Sequence, residues 1–228
     1  MHPSLSAIRH GLVVSCQAPA TSPLHDAEII AAIAQAAVNQ GAVGVRIDSP
    51  AHIQATRQRV TVPIIGLWKQ TLPDSEVYIT PQAHHAVAVA EAGADIIAID
   101  ATQRPRPGGE TVAELVQRIH TLGRPVMADV DTLAAAAAAV EAGADLVGTT
   151  LYGYTAETAG QKPPGFALLK QLVDLGVPAI CEGGIASPEM AQKAIALGAY
   201  SVVVGTAITG IDALAASYAA ALAQVEKS

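Results

Sequence analysis

Val62-Pro63-Ile64-Ile65-Gly66-Leu67-Trp68-Lys69 is a short apolar run opened by a proline and closed by a single lysine. A run that stays apolar without alternating reads as a parallel strand buried on both faces. Side chains alternate along a strand, so Lys69 shares a face with Leu67 and Ile65, and its ammonium projects from the mouth of the core they fill. In an α/β barrel that mouth is where the chemistry sits. Taken alone, Lys69 reads equally well as the first solvated residue after a strand, so the other strands must decide.

Strand-like runs alternate with alanine-rich helical runs along the whole chain, the pattern of a parallel sheet with crossover helices. Eight strands are expected, at Leu12 to Cys16, Val43 to Asp48, Val62 to Trp68, Asp95 to Asp100, Val126 to Val130, Leu146 to Thr150, Ala179 to Glu182 and Ser201 to Gly205. Helices are expected at about Ala27 to Gln40, Ala51 to Arg59, Pro81 to Ala92, Glu110 to Leu122, Thr132 to Ala142, Phe166 to Leu175, Pro188 to Leu197 and Ile211 to Val225. Even-numbered strands are entered through a glycine, Gly41, Gly93, Gly143 or Gly198, where a helix C-cap is expected. Three odd strands open with Pro63, Pro125 and Pro178, whose missing donor is tolerated at a strand's first residue. A period of two strands repeated four times fits a closed (β/α)8 barrel better than an open sheet. The fold expected is therefore α/β, one TIM barrel of the phosphate-binding type forming a single domain over residues 1–228.

Composition narrows the partners. Of the 228 residues 51% are apolar and only 3% aromatic, so small side chains such as Ala134 to Ala139 do the helix packing. A net charge of −7 without any Lys/Arg run argues against a nucleic-acid groove or an anionic membrane patch. No apolar stretch approaches the roughly 20 residues that span a bilayer. The N-terminus lacks the basic and apolar segments of a secretory signal, which places the protein in the cytoplasm. Cys16 and Cys181 have no paired spacing and read as buried reduced thiols. His84-His85 stands without carboxylates at ligand spacing, so no metal is expected. A small molecule is the expected partner.

Projecting the alternation onto each strand puts Gln17, Arg46, Lys69, Asp100, Asp129, Thr150 and Glu182 at inward positions near one end. Each has a plain structural reading: Arg46 and Asp129 as a barrel-filling ion pair, Asp100 as a loop cap, Glu182 as an orienter of Lys69. Their convergence on the catalytic end favours function. Lys69 and Glu182, on the third and seventh strands, approach the axis from opposite sides and address two faces of one substrate carbon. Burial lowers a lysine pKa towards the range of a base, while a nearby carboxylate opposes this. The loops Glu182-Gly183-Gly184-Ile185 and Gly205-Thr206-Ala207-Ile208 are glycine-rich and each precedes a helix, the usual place for a phosphate; Gly183, Gly184, Gly205 and Thr206 are its candidate donors. The longest insertion, Leu151 to Pro164, reads as a lid or as a solvated loop.

With these residues in place the chain resembles the N-acylmannosamine-6-phosphate 2-epimerase family of sialic-acid catabolism. The resemblance runs from Gly11 to about Thr209, through Gly11-Leu12-Val13-Val14-Ser15-Cys16-Gln17, Gln54-Ala55-Thr56-Arg57, Ala94-Asp95-Ile96-Ile97-Ala98-Ile99-Asp100, Arg104-Pro105-Arg106-Pro107 and Gly148-Thr149-Thr150-Leu151. It implies that Lys69 and Glu182 are the catalytic pair and that Gln17, Arg46 and Asp129 hold the sugar, with no cofactor and a homodimeric assembly. Gly184 and Gly210 stand where the family usually has arginines, both at the phosphate end.

The activity expected is inversion of C2 in N-acetylmannosamine 6-phosphate, by deprotonation beside the C1 aldehyde of the open-chain sugar and reprotonation on the other face. Three alternatives stay open at this point. One is a synthase in which Lys69 forms a Schiff base with a keto-sugar phosphate. The others are the same epimerisation of the unphosphorylated sugar and a non-catalytic sugar-phosphate-binding protein.

Overall fold

The apolar runs become strands and the alanine-rich runs become the helices that return the chain between them. The computed structural model describes residues 2–225. Strands β1 (Leu12–Cys16), β2 (Gly44–Asp48), β3 (Ile64–Leu67), β4 (Ile96–Asp100), β5 (Val126–Asp129), β6 (Leu146–Gly148), β7 (Ala179–Glu182) and β8 (Ser201–Val204) are parallel and close into a barrel in chain order. The ring is shut by β1 and β8, with Leu12 opposite Val202 and Val14 opposite Val204. The helices are α1 (Pro3–Ala7), α2 (Ala27–Asn39), α3 (Pro50–Arg57), α4 (Ala83–Glu91), α5 (Val112–Thr121), α6 (Leu133–Glu141), α7 (Phe166–Val173), α8 (Pro188–Ala196), α9 (Thr206–Thr209) and α10 (Ile211–Val225).

The two-strand repeat has a physical basis at both kinds of junction. Gly41, Gly93, Gly143 and Gly198 adopt φ of 99°, 104°, 98° and 98°, the left-handed conformation that ends a helix and that glycine takes at little cost. The prolines stand one residue before their strands rather than within them. The carbonyls of Pro63, Pro125 and Pro178 accept the N–H groups of Val45, Ile97 and Val147 on the neighbouring strands at 3.0, 3.0 and 3.1 Å. After two of the glycines an aspartate closes the repeat: Asp95 accepts from Ile64 N and Asp145 from Val126 N, each tying an even strand to the first residue of the odd strand before it.

Two apolar layers result. The outer one lies between strands and helices, and there α6 buries only alanines, Ala135, Ala136 and Ala139. The inner one fills the barrel with Val13, Ile65, Leu67, Ile96, Ala98, Met127, Leu146, Ile180 and Val203. At the N-terminal end of the barrel this inner layer is completed by Leu5 and Ile8 from α1 and the turn after it, a plug the sequence reading did not foresee. Its i, i+3 apolar pair is too short a pattern to mark a helix. Tyr200 holds the plug by donating its hydroxyl to Leu5 O at 3.0 Å.

Four strands end earlier than expected, β3, β5 and β8 by one residue and β6 by two. Residues 149–151 form a 3-10 turn, in which Tyr152 N donates to Thr149 O at 3.1 Å, so Thr150 reaches the barrel mouth from that turn and not from β6. Among the described residues no helix is long and apolar enough to cross a membrane.

Candidate active site

The centre of the barrel mouth is an arginine held by two carboxylates. Arg46 on β2 is 1% exposed and Asp129 on β5 fully buried. The guanidinium reaches across the barrel with Nη1 donating to Asp129 Oδ1 at 3.0 Å and Nη2 to Oδ2 at 2.6 Å. The same Nη1 donates to Glu182 Oε2 at 2.8 Å. Planar two-point geometry of this kind suits arginine rather than lysine. Thr150 adds its hydroxyl, 2.6 Å from Asp129 Oδ1 and 3.2 Å from Glu182 Oε2. Glu182 Oε1 has no hydrogen-bond partner among the described residues and is the oxygen left for a ligand.

Burial and the neighbouring Asp129 charge push the Glu182 carboxyl up to about 7, against Arg46, the Thr150 hydroxyl and Lys69, which pull it down. Its backbone is locked from the adjacent turn: Glu182 N donates to Thr149 Oγ1 at 3.0 Å, and that hydroxyl donates to Glu182 O at 2.8 Å.

Lys69 lies just past β3, held by an antiparallel bridge to Ile79 and by Asp48 Oδ1, which accepts its N–H at 2.9 Å. Its Nζ donates to Gln17 Oε1 at 2.5 Å, and Gln17 Nε2 donates to Ser15 Oγ at 3.0 Å. The residue is exposed at the rim, yet the ammonium, drawn over the mouth, loses enough hydration for its pKa to fall. Asp48 is the largest opposing influence; Arg46 adds to the fall, and Glu182 and Asp129 oppose it.

Of the strand-end polar residues, Asp100 is turned to another task. Its Oδ1 accepts from Thr102 N at 3.1 Å and Thr102 Oγ1 at 2.7 Å, and its Oδ2 from Arg104 at 2.7 Å, so it caps the following loop. Arg106, buried beside it, donates to Asp100 O and, at 3.1 Å, to Pro81 O. The sequence reading missed Asp48 and Ser15, although the alternation that singles out Arg46 and Gln17 puts both on the same inward faces. It missed Tyr78 because that residue lies in a loop with no periodicity to read.

At the other side of the mouth Gly183 and Gly184 have φ of 95° and 69°. Pro163, from the insertion after β6, presses on Gly184 so closely that a Cβ there would lie 2.5 Å from Pro163 Cβ. A Cβ on Gly210 would come within 2.7 Å of Thr206 Cγ2. Neither position has room for an arginine with these neighbours in place. The insertion is anchored rather than free, since Thr155 Oγ1 donates to Asp131 Oδ2 at 2.7 Å, and it is braced internally by Gly153 N donating to Thr158 Oγ1 at 2.9 Å. Cys16 and Cys181 are both free and buried, and burial raises their thiols to about 12 and about 11. Among the described residues no three His, Cys, Asp or Glu side chains cluster as metal ligands would.

Residues 30–224 match the family described as "Putative N-acetylmannosamine-6-phosphate epimerase". The chain belongs to this epimerase family. A relative from Thermosynechococcus vestitus, described as a 2-epimerase in the same terms, is 67% identical over 94% of each chain, and one from Synechococcus elongatus is 59% identical over 96% of each. The solved N-acetylmannosamine-6-phosphate 2-epimerase of Clostridium perfringens superposes with a TM-score of 0.92 at 40% identity, covering 96% of each chain. The barrel expected from the sequence is thus the barrel of this epimerase family.

Proposed function

We propose that this chain interconverts N-acetylmannosamine 6-phosphate and N-acetylglucosamine 6-phosphate by moving the C2 proton of the open-chain sugar. The observation that carries the reading is a two-sided acid–base arrangement at the mouth: Glu182 is held through Oε2 by Arg46 at 2.8 Å, and the Lys69 ammonium is drawn over the same mouth by Gln17 Oε1 at 2.5 Å. Burial raises the Glu182 carboxyl to about 7 and lowers the pKa of the Lys69 ammonium, which brings the two groups towards each other as proton acceptor and donor, the relation a two-base epimerisation uses. Glu182 or Lys69 removes the C2 proton, the C–H pair forms the C1=C2 bond, and the carbonyl pair moves onto O1. The other member then returns a proton to the opposite face of C2 as the carbonyl re-forms. Gln17 steadies Lys69, while Arg46, Asp129 and Thr150 orient Glu182 and the sugar.

The phosphate is assigned to the loops after β7 and β8. Support comes from the N–H groups of Gly183, Gly184 and Thr206, none of which makes a backbone hydrogen bond among the described residues, with Gly205 allowing close approach. No cofactor enters this mechanism. We assign the chain, as one barrel domain, to the cytoplasm and to sialic-acid catabolism; two free buried thiols suit a reducing compartment.

A homodimer is proposed on the state of α10. Every described side chain from Ile211 to Gln224 is exposed, including Ile211, Leu214, Tyr218 and Leu222, so the helix buries no apolar side chain against its own barrel, although Asp212 accepts from Ser22 Oγ at 2.9 Å. An isolated helix of this length is marginal in water, and a second copy supplies the missing apolar cover. Light scattering on the full chain and on Leu214→Glu/Leu222→Glu tests this; a wild-type monomer removes it.

The function itself is tested by incubating the protein with N-acetylmannosamine 6-phosphate in deuterium oxide and following C2 by NMR. Deuterium enters at C2 as the gluco epimer accumulates. Binding without exchange would remove the epimerase reading, and a borohydride-trapped adduct on Lys69 would replace it with Schiff-base chemistry.

A further inference from the structure

The enolate formed in this reaction places negative charge on O1, and a donor must meet it that is not itself the base. The donors around the mouth are almost all engaged. Both Arg46 Nη groups donate to Asp129 or Glu182, and its Nε, although without a partner, is buried. The Thr150 hydroxyl lies on Asp129 and Glu182, and Gln17 Nε2 donates to Ser15. Lys69 serves as acid or base.

Tyr78 is different. The segment carrying it is fixed by an antiparallel bridge, Lys69 to Ile79, in the connection from β3 to β4. Gln70 N donates to Tyr78 O at 2.9 Å, Thr80 N to Trp68 O at 2.9 Å, and Asp100 N to Ile79 O at 2.9 Å. Thr80 Oγ1 clamps the end by donating to Ala98 O at 2.7 Å. The Tyr78 ring is half-buried against the apolar filling of the barrel. Its hydroxyl lies in the field of two carboxylates, Asp129 and Asp100, and of Arg46 and Arg104. It makes no hydrogen bond among the described residues. Burial and the two carboxylates push the phenol pKa up against the two arginines, so the group is a neutral donor at physiological pH.

Resting on the epimerase reading above, we infer that Tyr78 is a further catalytic residue, whose phenol O–H donates a hydrogen bond to O1 of the open-chain sugar as charge develops there. No proton is transferred in this contact. The C2 proton goes to the base, its electron pair becomes the C1=C2 bond, and the carbonyl pair resides on O1 until reprotonation sends it back. A ring packed on the inner layer of the barrel, on a segment bridged to Lys69 and with a hydroxyl that has no partner among the described residues, is poised for an oxygen that gains charge.

The test is Tyr78→Phe in the full chain, compared with the unmodified protein for kcat, KM, C2 exchange in deuterium oxide and Tm. Loss of one such donor typically costs about 10²- to 10³-fold in kcat. The expected result is a fall of that order in kcat and in exchange, with KM within about threefold, the range of a contact made only in the transition state. Tm should hold, because phenylalanine keeps the packing ring and the hydroxyl has no internal partner. A kcat within threefold of the unmodified protein overturns the inference, as does a rise in KM alone or a fall in Tm, which would mean that the hydroxyl is engaged within the protein. Failure of the unmodified protein to exchange C2 is a different result: it removes the epimerase reading, and the role of Tyr78 with it.

Discussion

Arg46 and Asp129 face each other across the barrel interior in a two-point ion pair, Nη1 to Oδ1 at 3.0 Å and Nη2 to Oδ2 at 2.6 Å, with almost no access to water. The pair is also a mount. The one guanidinium nitrogen that meets Asp129 Oδ1 also holds Glu182 Oε2, so the carboxylate proposed to react is fixed by the ion pair and its second oxygen is left without a partner among the described residues. The barrel-filling ion pair read from the sequence is present, and the proposed function makes use of the same arrangement.

Replacing Arg46 by alanine leaves two buried carboxylates without their counter-charge. Breaking a buried pair from one side typically costs about 3–5 kcal/mol. Urea denaturation of Arg46→Ala should show a loss of that size at neutral pH. The deficit should shrink as pH falls, because Glu182 then takes up a proton and one of the two uncompensated charges disappears. A loss below about 1 kcal/mol, the range of exposed pairs, would mean that water reaches the site.

The activity should have a bell-shaped pH dependence. With Glu182 raised to about 7, protonation on the acid side removes the ionised member of the pair, so kcat falls below about that pH. With Lys69 lowered, the alkaline limb falls below the ordinary lysine value of 10.5. The two limbs belong to the coupled pair rather than to either residue. Lys69→Ala should lower kcat by about 10²- to 10⁴-fold, the range of a general acid–base group. A loss under tenfold would remove Lys69 from the chemistry.

Two further variants should move the acid limb in opposite directions. The Thr150 hydroxyl stabilises the ionised Glu182, so Thr150→Val should raise the carboxyl pKa and shift the limb to higher pH. Asp129 repels that charge, so Asp129→Asn should shift it lower. Shifts of the same sign in both would show that the limb does not report Glu182.

What could be read from the sequence divides along the same lines as the chemistry. Strand alternation located Arg46, Lys69, Asp129 and Glu182 because each lies in or just beyond an apolar run whose burial leaves one inward direction. The helix ends were legible at Gly41, Gly93, Gly143 and Gly198 because a left-handed residue leaves a residue-type signature. Loop contacts leave none. That Tyr78 returns to the mouth depends on pairing between residues 69 and 79, and that Gly184 has no room for a side chain depends on Pro163, twenty-one positions earlier. The turn that lifts Thr150 out of β6 is tied by the Thr149 hydroxyl to the Glu182 backbone, a contact between residues 33 positions apart.

The plug at the bottom of the barrel should matter for stability and not for catalysis. Ile8 is completely buried and closes the inner layer beside Leu5, far from the polar end. Ile8→Ala opens a cavity there, and such truncations typically cost about 2–5 kcal/mol. Thermal unfolding should show a clear drop in Tm, while kcat and KM, measured at a temperature where the variant is folded, stay near those of the unmodified chain. A large change in kcat with an unchanged Tm would place α1 in communication with the mouth.

The last prediction concerns the phosphate. Gly184 and Gly210 cannot simply be restored to arginine, because Pro163 and Thr206 occupy the space in which each side chain would begin. Gly184→Arg should therefore lower stability, with no gain in affinity for the phosphorylated sugar. The anion is left to backbone donors and the Thr206 hydroxyl, without charge-assisted partners on those two residues. Hydrogen bonds to charged groups contribute about 1.5–3 kcal/mol each, and about 1.4 kcal/mol is a factor of ten in affinity. The phosphorylated sugar should remain the better substrate, but with a preference over free N-acetylmannosamine smaller than two arginines would supply, and inorganic phosphate should compete weakly. Comparing kcat/KM for the two sugars, with and without added phosphate, checks this. Equal or higher kcat/KM for the free sugar, together with no inhibition by phosphate, would show that the two glycines have removed the phosphate from the substrate this site selects.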